Sequence, residues 1–227
     1  MSIVLPYWRR AAVTKRSLEL YAQHYSALDF EVVLVDDGSH DFEEDRFPWL
    51  KIIRLPLKDV PKNPCVPINA GVMVSRGDVI VISNPEIMHN QPVLPQMLET
   101  LRELGDMGYV LAACWYEREK QWHCHSHLTI DGWHHGSNAR QPKGSGFHFC
   151  AMLNRSLWDK AGGFDEDYRD GSHYDDPDWV NRVARAGAIF KIRDDLVVEH
   201  IREGAETHWP GGAADRNKAL FHRKWPS

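Results

Sequence analysis

Residues 31–39 read EVVLVDDGS, an apolar, β-branched run that ends in two aspartates, a glycine and a serine. The run is typical of a buried strand, and residues 36–39 are typical of a turn. Similar strand patterns occupy residues 2–6, 51–55, 79–83 and 109–114. Helical patterns separate them, at residues 11–27, 69–75 and 92–104. Strands that alternate with helices predict an α/β fold with a mostly parallel central sheet.

The pattern weakens in the second half of the chain. Residues 117–146 are polar and rich in histidine, tryptophan and glycine, which predicts a loop or an insertion. Regular patterns resume as strands at 147–153, 189–192 and 196–198 and as helices at 156–161 and 175–186. From Arg202 onward the sequence is a polar tail for which we predict no element. No repeat or linker divides the chain, so we expect a single domain over residues 1–227.

The composition excludes several classes of protein. The net charge of −5 over 227 residues argues against broad electrostatic binding to nucleic acid. The 4 cysteines are too few for a disulfide framework, and no apolar run is long enough to span a membrane. We therefore expect a soluble, cytoplasmic protein. Its 13 histidines and 9 tryptophans exceed ordinary usage.

Polar residues follow three of the predicted strands. They are Pro6, Tyr7 and Arg9 after the first, Asp36 and Asp37 after the second, and Asn84, Pro85 and Glu86 after residues 79–83. Ligands of open α/β sheets bind at the carboxyl ends of the strands. Paired carboxylates suit a base or ribose edge, and a lone carboxylate suits a divalent cation that holds phosphates. Taken alone, residues 36–39 are also compatible with an ordinary turn, and residues 84–86 with a turn followed by an acid at a helix start.

Two common nucleotide-binding patterns are missing. No G-x-G-x-x-G follows the first strand, which argues against a dinucleotide-binding domain. No G-x-x-x-x-G-K-[ST] occurs, which argues against a P-loop nucleotide triphosphatase.

The order of several motifs resembles that of one family. The motifs are SIVLPYWRR, VVLVDDGS, PINAGVMVSRGDVIVISNPE, GGFDEDY with YDDPDWVNR, VVEH and LFHRKW. Over residues 2–225 the chain resembles the GT-A glycosyltransferases of family 2. The resemblance implies a Rossmann-like GT-A fold for nucleotide-diphospho-sugar transferases. Residues 1–114 would then bind the nucleotide sugar, and residues 115–227 would carry the acceptor and catalytic half.

The resemblance also implies a donor site. Tyr7 and either Asp36 or Asp37 would contact the nucleobase and the ribose of a nucleotide sugar, with a UDP-sugar favoured. The further donor-binding residues that we predict are Pro6, Arg9, Asn69, Asn84 and Pro85. Asn84 stands where the family's D-x-D motif has its first acid. Ile68 replaces an arginine of the family pattern, and Arg9, Arg10 or a residue of the tail is a candidate substitute for its phosphate contact.

A divalent cation, Mn²⁺ or Mg²⁺, is the cofactor that the resemblance implies. Glu86 occupies the last acid of the D-x-D motif and would bind it, with His200 as a further ligand. Asp175 and Asp176 fall on the family's Glu-Asp pair, and Asp176 matches its catalytic base. A base for a single displacement implies inversion at the anomeric carbon. Without the family pattern, these aspartates would be interpreted as helix-start acids favoured by the helix dipole.

The acceptor is the least determined part of the prediction. Trp115, His148 and Asp178 are the candidate acceptor residues, and the histidines of HCHSH (residues 123–127) would share one face of a strand. The segment fits sugar or base stacking, a zinc site, or a loop held by tryptophan packing. The acceptor would be a glycan, a lipid, a protein or a modified nucleic acid. A non-catalytic sugar-nucleotide or glycan-binding module is the alternative function, and a nucleotidyltransferase would need a Gly-rich loop after the first strand.

Overall fold

The computed structural model describes residues 1–60, 63–118, 120–122, 149–201 and 212–226. Within these residues nine strands form a single sheet. They are β1 (Ser2–Tyr7), β2 (Glu31–Asp36), β3 (Leu50–Arg54), β4 (Val79–Ser83), β5 (Ile87–Met88), β6 (Gly108–Tyr116), β7 (Gln121–Trp122), β8 (Cys150–Asn154) and β9 (Ile189–His200). The helices are α1 (Ala11–Tyr25), α2 (Cys65–Val74), α3 (Val93–Leu104), α4 (Arg155–Ala161), α5 (Asp175–Arg185) and α6 (Ala213–Lys224). The predicted α/β fold is confirmed.

The sheet is mixed rather than uniformly parallel. Its strand order is β3-β2-β1-β4-β8-β6-β9-β5, with β7 paired to β6. The first four strands of this order are parallel to one another, whereas β8 runs antiparallel to both β4 and β6. Because β6 reverses the direction of β8, β6 and its parallel neighbour β9 end at the same edge as β1, β2 and β4. We call this the carboxyl edge.

The strands are apolar on both sides because helices cover both faces of the sheet. Side chains of β1 alternate between two core clusters, with Val4 in one and with Ile3 and Leu5 in the other. The first cluster joins the sheet to α2, α4 and α5, and the second joins it to α1 and α3. In the described residues no helix combines the length and hydrophobicity needed to span a bilayer.

Several elements differ from the prediction, since β5 is not among the predicted strands and β7 lies within the predicted loop, and β9 and α6 differ most. The prediction of separate strands at 189–192 and 196–198 is wrong, because both belong to β9. The register between β6 and β9 shifts after Ala112, which pairs with Arg193 while Ala113 pairs with Val197, so the polar residues between are accommodated as an irregularity. Helix α6 lies in the tail for which no element is predicted. Its buried positions are the small Ala213 and the polar Asn217, and the apolar Leu220 and Phe221 pack partly buried against the core, so its apolar stripe is short.

A buried histidine lies beneath α1. His89 has no exposed surface, and its Nδ1 lies 2.7 Å from the Tyr25 hydroxyl. The edge of its ring packs against Tyr21, with the ring centroids 4.9 Å apart. Burial lowers the pKa of His89 from 6.5 to about 3, because the imidazolium would lose its hydration. His89 is therefore neutral at physiological pH.

We expect His89 to make the fold acid-sensitive, costing about 3 kcal/mol of unfolding free energy between pH 7 and pH 4. Below pH 6.5 the unfolded chain binds a proton at this histidine, but the folded chain does not until the pH reaches about 3. Urea denaturation at the two pH values measures the loss. The His89→Gln variant keeps an acceptor for the Tyr25 hydroxyl but cannot titrate, so it should lose less. An equal loss in both proteins would contradict this assignment.

Candidate functional site

The DDGS turn lies at the carboxyl edge and is built around Asp36. One carboxylate oxygen of Asp36 accepts hydrogen bonds from Gly38 N (3.1 Å) and from Ser39 N and Oγ (2.8 Å each). The other oxygen accepts from His40 N at 2.8 Å. Asp36 is fully buried, so its carboxylate shapes the turn from within. The structure thus gives Asp36 a turn-forming position next to the predicted donor pocket.

Glycine is required in this turn. Gly38 has a φ of +93°, and a Cβ atom there would lie 2.3 Å from the carbonyl oxygen of Pro56. The close approach brings Lys58 beside Asp37, and the Lys58 ammonium forms an ion pair with Oδ1 of Asp37. Asp37 N also donates to the carbonyl oxygen of Tyr7 at 2.9 Å, which joins the ends of β1 and β2. Lys58 was not a predicted site residue, because nothing in its local sequence distinguishes it.

Tyr7 ends β1 with its ring buried. Its hydroxyl donates to Asp41 Oδ1 at 2.8 Å and accepts from Arg10 N at 3.2 Å. Burial, together with the hydrogen bond to Asp41, raises the pKa of Tyr7. The ring packs at 5.1 Å from that of Phe42. Tyr7 therefore connects the start of α1 to the loop that follows the DDGS turn.

Glu86, Arg10 and His200 form a charged cluster at the same edge. Arg10 Nη1 forms an ion pair with Glu86 Oε1, and His200 Nε2 lies 3.5 Å from the same oxygen. The side chains of Glu86 and His200 are only 9% and 10% exposed. Burial raises the pKa of Glu86, but the hydrogen bond from His200 and the charge of Arg10 outweigh it, so the pKa lies below its usual value. Glu86 is accordingly ionised.

The imidazole of His200 is held in place by two aromatic rings. The rings of Tyr116 and Phe149 meet it nearly at right angles, with centroids 5.0 and 5.6 Å away. His200 also pairs with Ile87 across β9 and β5, and Ile201 N donates to the Glu86 carbonyl oxygen at 3.0 Å. In this arrangement Nε2 is the ring nitrogen that faces the carboxylate. The neighbouring position of Glu86 and His200, 114 residues apart, therefore follows from sheet pairing.

A divalent cation fits this cluster as a partly built site. Among the described residues, no group of three or more His, Cys, Asp or Glu side chains is arranged to hold a metal ion. Glu86 would supply a carboxylate oxygen, which suits Mn²⁺ or Mg²⁺, and His200 an imidazole nitrogen, the commonest side-chain ligand of metal ions in proteins. Such ions are commonly held by one or two side chains plus substrate phosphates and water. The pair thus fits a cation that is shared with a diphosphate.

The predicted catalytic aspartates begin α5. The preceding residues His173 and Tyr174 both have positive φ angles, of 60° and 68°, which is rare for residues with side chains. Asp175 is buried, and its Oδ1 accepts from Asn63 Nδ2 at 2.7 Å. Asn63 lies between β3 and α2, at the carboxyl edge, so this bond brings the start of α5 to that edge. Asp176 is half-exposed there, whereas Asp175 anchors the helix.

Helix α6 holds the loop in front of these aspartates, and its central contact is Asn217. The buried Asn217 amide donates to the carbonyl oxygens of Tyr168 (3.0 Å) and His173 (2.9 Å). Ser172 N donates to the Ala213 carbonyl oxygen at 3.1 Å, and the Tyr174 ring packs on Phe221. Buried amides that bind main-chain carbonyls fix loop geometry. The positive-φ conformation before Asp175 is therefore maintained from α6.

If the predicted base Asp176 is catalytic, we expect Asn217→Ala to lower kcat about tenfold, because displacing the start of α5 would cost that group its alignment with the substrate. The KM for the donor should change much less, since the hydrogen-bond and ion-pair partners described above for the DDGS turn and for Glu86 lie on other elements than α6. Steady-state kinetics of the purified variant measures both parameters. Lys218→Ala, at an exposed neighbouring position of α6, is the control. A loss of thermal stability with unchanged kcat would assign Asn217 to folding alone.

Several other predicted site residues have structural partners. Asn69 Nδ2 donates to the Phe164 carbonyl oxygen (2.9 Å) and to Glu166 (3.0 Å), which ties α2 to the GGFDE segment. Asp178 is 1% exposed and accepts from Tyr168, Trp225 and Arg182. The structure therefore brings Asp178 into the contact between α5 and α6.

The remaining predicted site residues lie around the carboxyl edge or outside the residues that the structure describes. Trp115 is half-exposed near the end of β6, and its Nε1 donates to Glu117 at 3.0 Å. Asn84 and Pro85 connect β4 to Glu86, and Pro6 precedes Tyr7 within β1. Arg9 is exposed over the Trp8 ring, 4.9 Å from its centroid. His148 and the HCHSH histidines lie outside the described residues.

Comparison with known proteins adds to this geometry. A model of glycosyl transferase family 2 matches residues 2–162. The crystal structure of S. aureus TarS 1-349 in complex with UDP-GlcNAc has a TM-score of 0.66 at 14% identity, covering 91% of this chain and 59% of that chain. The crystal structure of S. aureus TarS 1-349 has a TM-score of 0.64 at 14% identity, covering 88% of this chain and 59% of that chain. This chain thus spans less than two thirds of either neighbour, and the likeness establishes the fold. A search of curated proteins gives no significant match.

Proposed function

Because the chain belongs to glycosyl transferase family 2, we propose that it transfers a sugar from a nucleoside diphosphate to an acceptor hydroxyl. The observation that carries the proposal is that two kinds of group lie at the carboxyl edge. Glu86 and His200 would neutralise the charge of a diphosphate through a shared cation. Asp176, half-exposed at the start of α5, would accept the proton of an attacking hydroxyl.

The proposed donor is a UDP-sugar. A neighbour of the same fold was solved with UDP-GlcNAc, which supports uridine over other bases. The donor residues that we propose are those predicted from the sequence. Asp36 and Asn69 would act through the backbone that they hold, because their polar atoms already bind protein groups.

Glu86 and His200 are the residues proposed to hold Mn²⁺ or Mg²⁺. When bound there, a divalent cation would neutralise the charge that develops on the leaving diphosphate. Glu86 is suited to this role because it is ionised and buried at the end of β4. Asn84 supplies no charge of its own, so Glu86 is the acid that remains of the D-x-D motif.

Asp176 is the proposed general base. The bond between the anomeric carbon and the diphosphate oxygen breaks, and the nucleoside diphosphate leaves with that electron pair. The acceptor oxygen forms the new bond to the same carbon from the opposite side, and its proton passes to the Asp176 carboxylate. One displacement of this kind inverts the anomeric configuration. Asp175, bonded to Asn63, keeps the helix start in position.

The acceptor is proposed to bind beyond Trp115, where β6 leaves the carboxyl edge. Trp115 offers an aromatic face for a sugar ring or a base. A glycan is the first candidate for the acceptor and a modified nucleic acid is the second, as the sequence predicts.

A donor screen tests the proposed function. Purified protein is incubated with Mn²⁺ and UDP-, GDP- or TDP-sugars, and nucleotide release is followed with and without candidate glycan acceptors. Calorimetry with each nucleotide measures binding independently of turnover. We expect UDP and UDP-sugars to bind and a UDP-sugar to be consumed. Binding without any turnover would favour a sugar-nucleotide-binding module, and no binding of any sugar nucleotide would overturn the proposal.

A further inference from the structure

Arg10 forms an ion pair with the carboxylate oxygen of Glu86 that faces His200, and a cation bound between Glu86 and His200 would need this oxygen as a ligand. Its Nη1 forms an ion pair with Oε1, the same oxygen that His200 Nε2 approaches to 3.5 Å. The Arg10 side chain is 21% exposed, so it reaches the carboxylate from the solvent side. Because the Glu86 carboxylate is only 9% exposed, water screens its end of the pair poorly, and removing Arg10 would leave a buried charge without this partner.

The backbone of Arg10 is fixed, although its side chain is long. Its N–H donates to the Tyr7 hydroxyl at 3.2 Å, and its carbonyl oxygen accepts from Thr14 N (3.0 Å) and Thr14 Oγ1 (2.7 Å). These bonds place Arg10 at the residue before α1, where the helix dipole favours anions. Movement of Arg10 away from Glu86 is accordingly a rotation of the side chain at an edge that attracts phosphate.

A divalent cation and a diphosphate would have opposite effects on the ion pair between Arg10 and Glu86, because their charges are opposite. A divalent cation beside Glu86 would either displace the guanidinium or lie next to a like charge in a poorly hydrated place, and both are unfavourable. A diphosphate offers the guanidinium a stronger, bidentate partner than a single carboxylate oxygen. The two ligands therefore act oppositely on the bond between Arg10 and Glu86.

We propose that Arg10 is an internal competitor of the cation: it holds Glu86 in the donor-free protein and releases it when a nucleoside diphosphate binds. The proposal rests on the proposed function and adds to it that the binding of the cation is coupled to the binding of the nucleotide. Cation and nucleotide bind together because the nucleotide gives Arg10 another partner. Arg10 is thus a positioning residue for Glu86 and a candidate phosphate ligand.

The competition is tested with Mn²⁺ alone, by electron paramagnetic resonance titration of donor-free protein. We expect Arg10→Gln to bind Mn²⁺ about tenfold more tightly than the unmodified protein, a size typical of coupled sites. UDP should strengthen Mn²⁺ binding to the unmodified protein by a similar factor and should do so much less in Arg10→Gln. Circular dichroism establishes that each variant is folded.

Two controls locate the effect. Arg16→Gln removes the same charge from an exposed position of α1 and should leave Mn²⁺ affinity unchanged. The double variant Arg10→Gln/Glu86→Gln should lose the gain. Equal Mn²⁺ affinity in Arg10→Gln and the unmodified protein, or a gain that survives loss of Glu86, overturns the proposal. The Mn²⁺ titration needs no sugar donor, so its failure is distinct from a failed donor screen.

Discussion

Replacing Asp176 with asparagine is expected to lower kcat by about 10²–10⁴, the usual contribution of a general base. Asparagine has nearly the same shape but cannot accept the proton of the acceptor hydroxyl. Because Asp176 is half-exposed and asparagine is nearly isosteric with aspartate, the fold should tolerate the change. Initial rates of nucleotide release with saturating donor and acceptor measure the effect.

Asp175→Asn and Asp106→Asn distinguish this role from general loss of charge. Asp175 is buried against Asn63, so its replacement should lower thermal stability as well as activity. Asp106 is exposed just before β6, at the opposite edge of the sheet, and its replacement should change neither. Undiminished turnover by Asp176→Asn would remove it from the mechanism and would favour interpreting the aspartates as helix-start acids.

Replacing Glu86 with glutamine is expected to lower kcat/KM about 100-fold, because charge stabilisation by a metal ion contributes several kcal/mol. Binding of Mn²⁺ in the presence of UDP should weaken in parallel, as calorimetry would measure. Glu86→Asp keeps the charge and should retain more activity than Glu86→Gln. Removal of divalent cations with a chelator should have little further effect on the glutamine variant.

Glu199→Gln is the matched control for Glu86. Glu199 lies next to His200 in β9, where successive side chains point to opposite faces, and it accepts a hydrogen bond from Asn90 at 2.6 Å. Its replacement removes the same charge near the site without touching the proposed cation ligands. If Glu86→Gln were fully active and chelator had no effect on the unmodified protein, the cation would have no place in the reaction.

The parts of the fold with strong local patterns were predictable. The strand at 79–83 and the helix near 92–104 were found because their apolar residues recur with the strand and helix periods. The alignment of Tyr7, Asp36 and Glu86 along one edge also followed from parallel strands. Local pattern does not encode a polar helix such as α6, which is stabilised by the contacts of Asn217 with a distant loop.

The candidate site was predictable in position more than in chemistry. The sequence indicates that DDGS lies at the ligand-binding edge. It does not indicate that both carboxylate oxygens of Asp36 accept hydrogen bonds from the backbone of the same turn. The ion pair of Arg10 with Glu86 joins residues on two elements. Their proximity depends on how α1 packs beside β5, which no spacing within either motif reveals.

The position of α6 has a consequence for synthesis of the protein on the ribosome. The loop before Asp175 takes its hydrogen bonds from Asn217, so it lacks these partners until α6 has emerged from the exit tunnel. Every strand of the described sheet lies before α6 in the chain and is made earlier. The nascent chain should therefore be able to assemble its sheet while the loop before Asp175 is still unformed, and any function that depends on this loop should begin only when α6 docks.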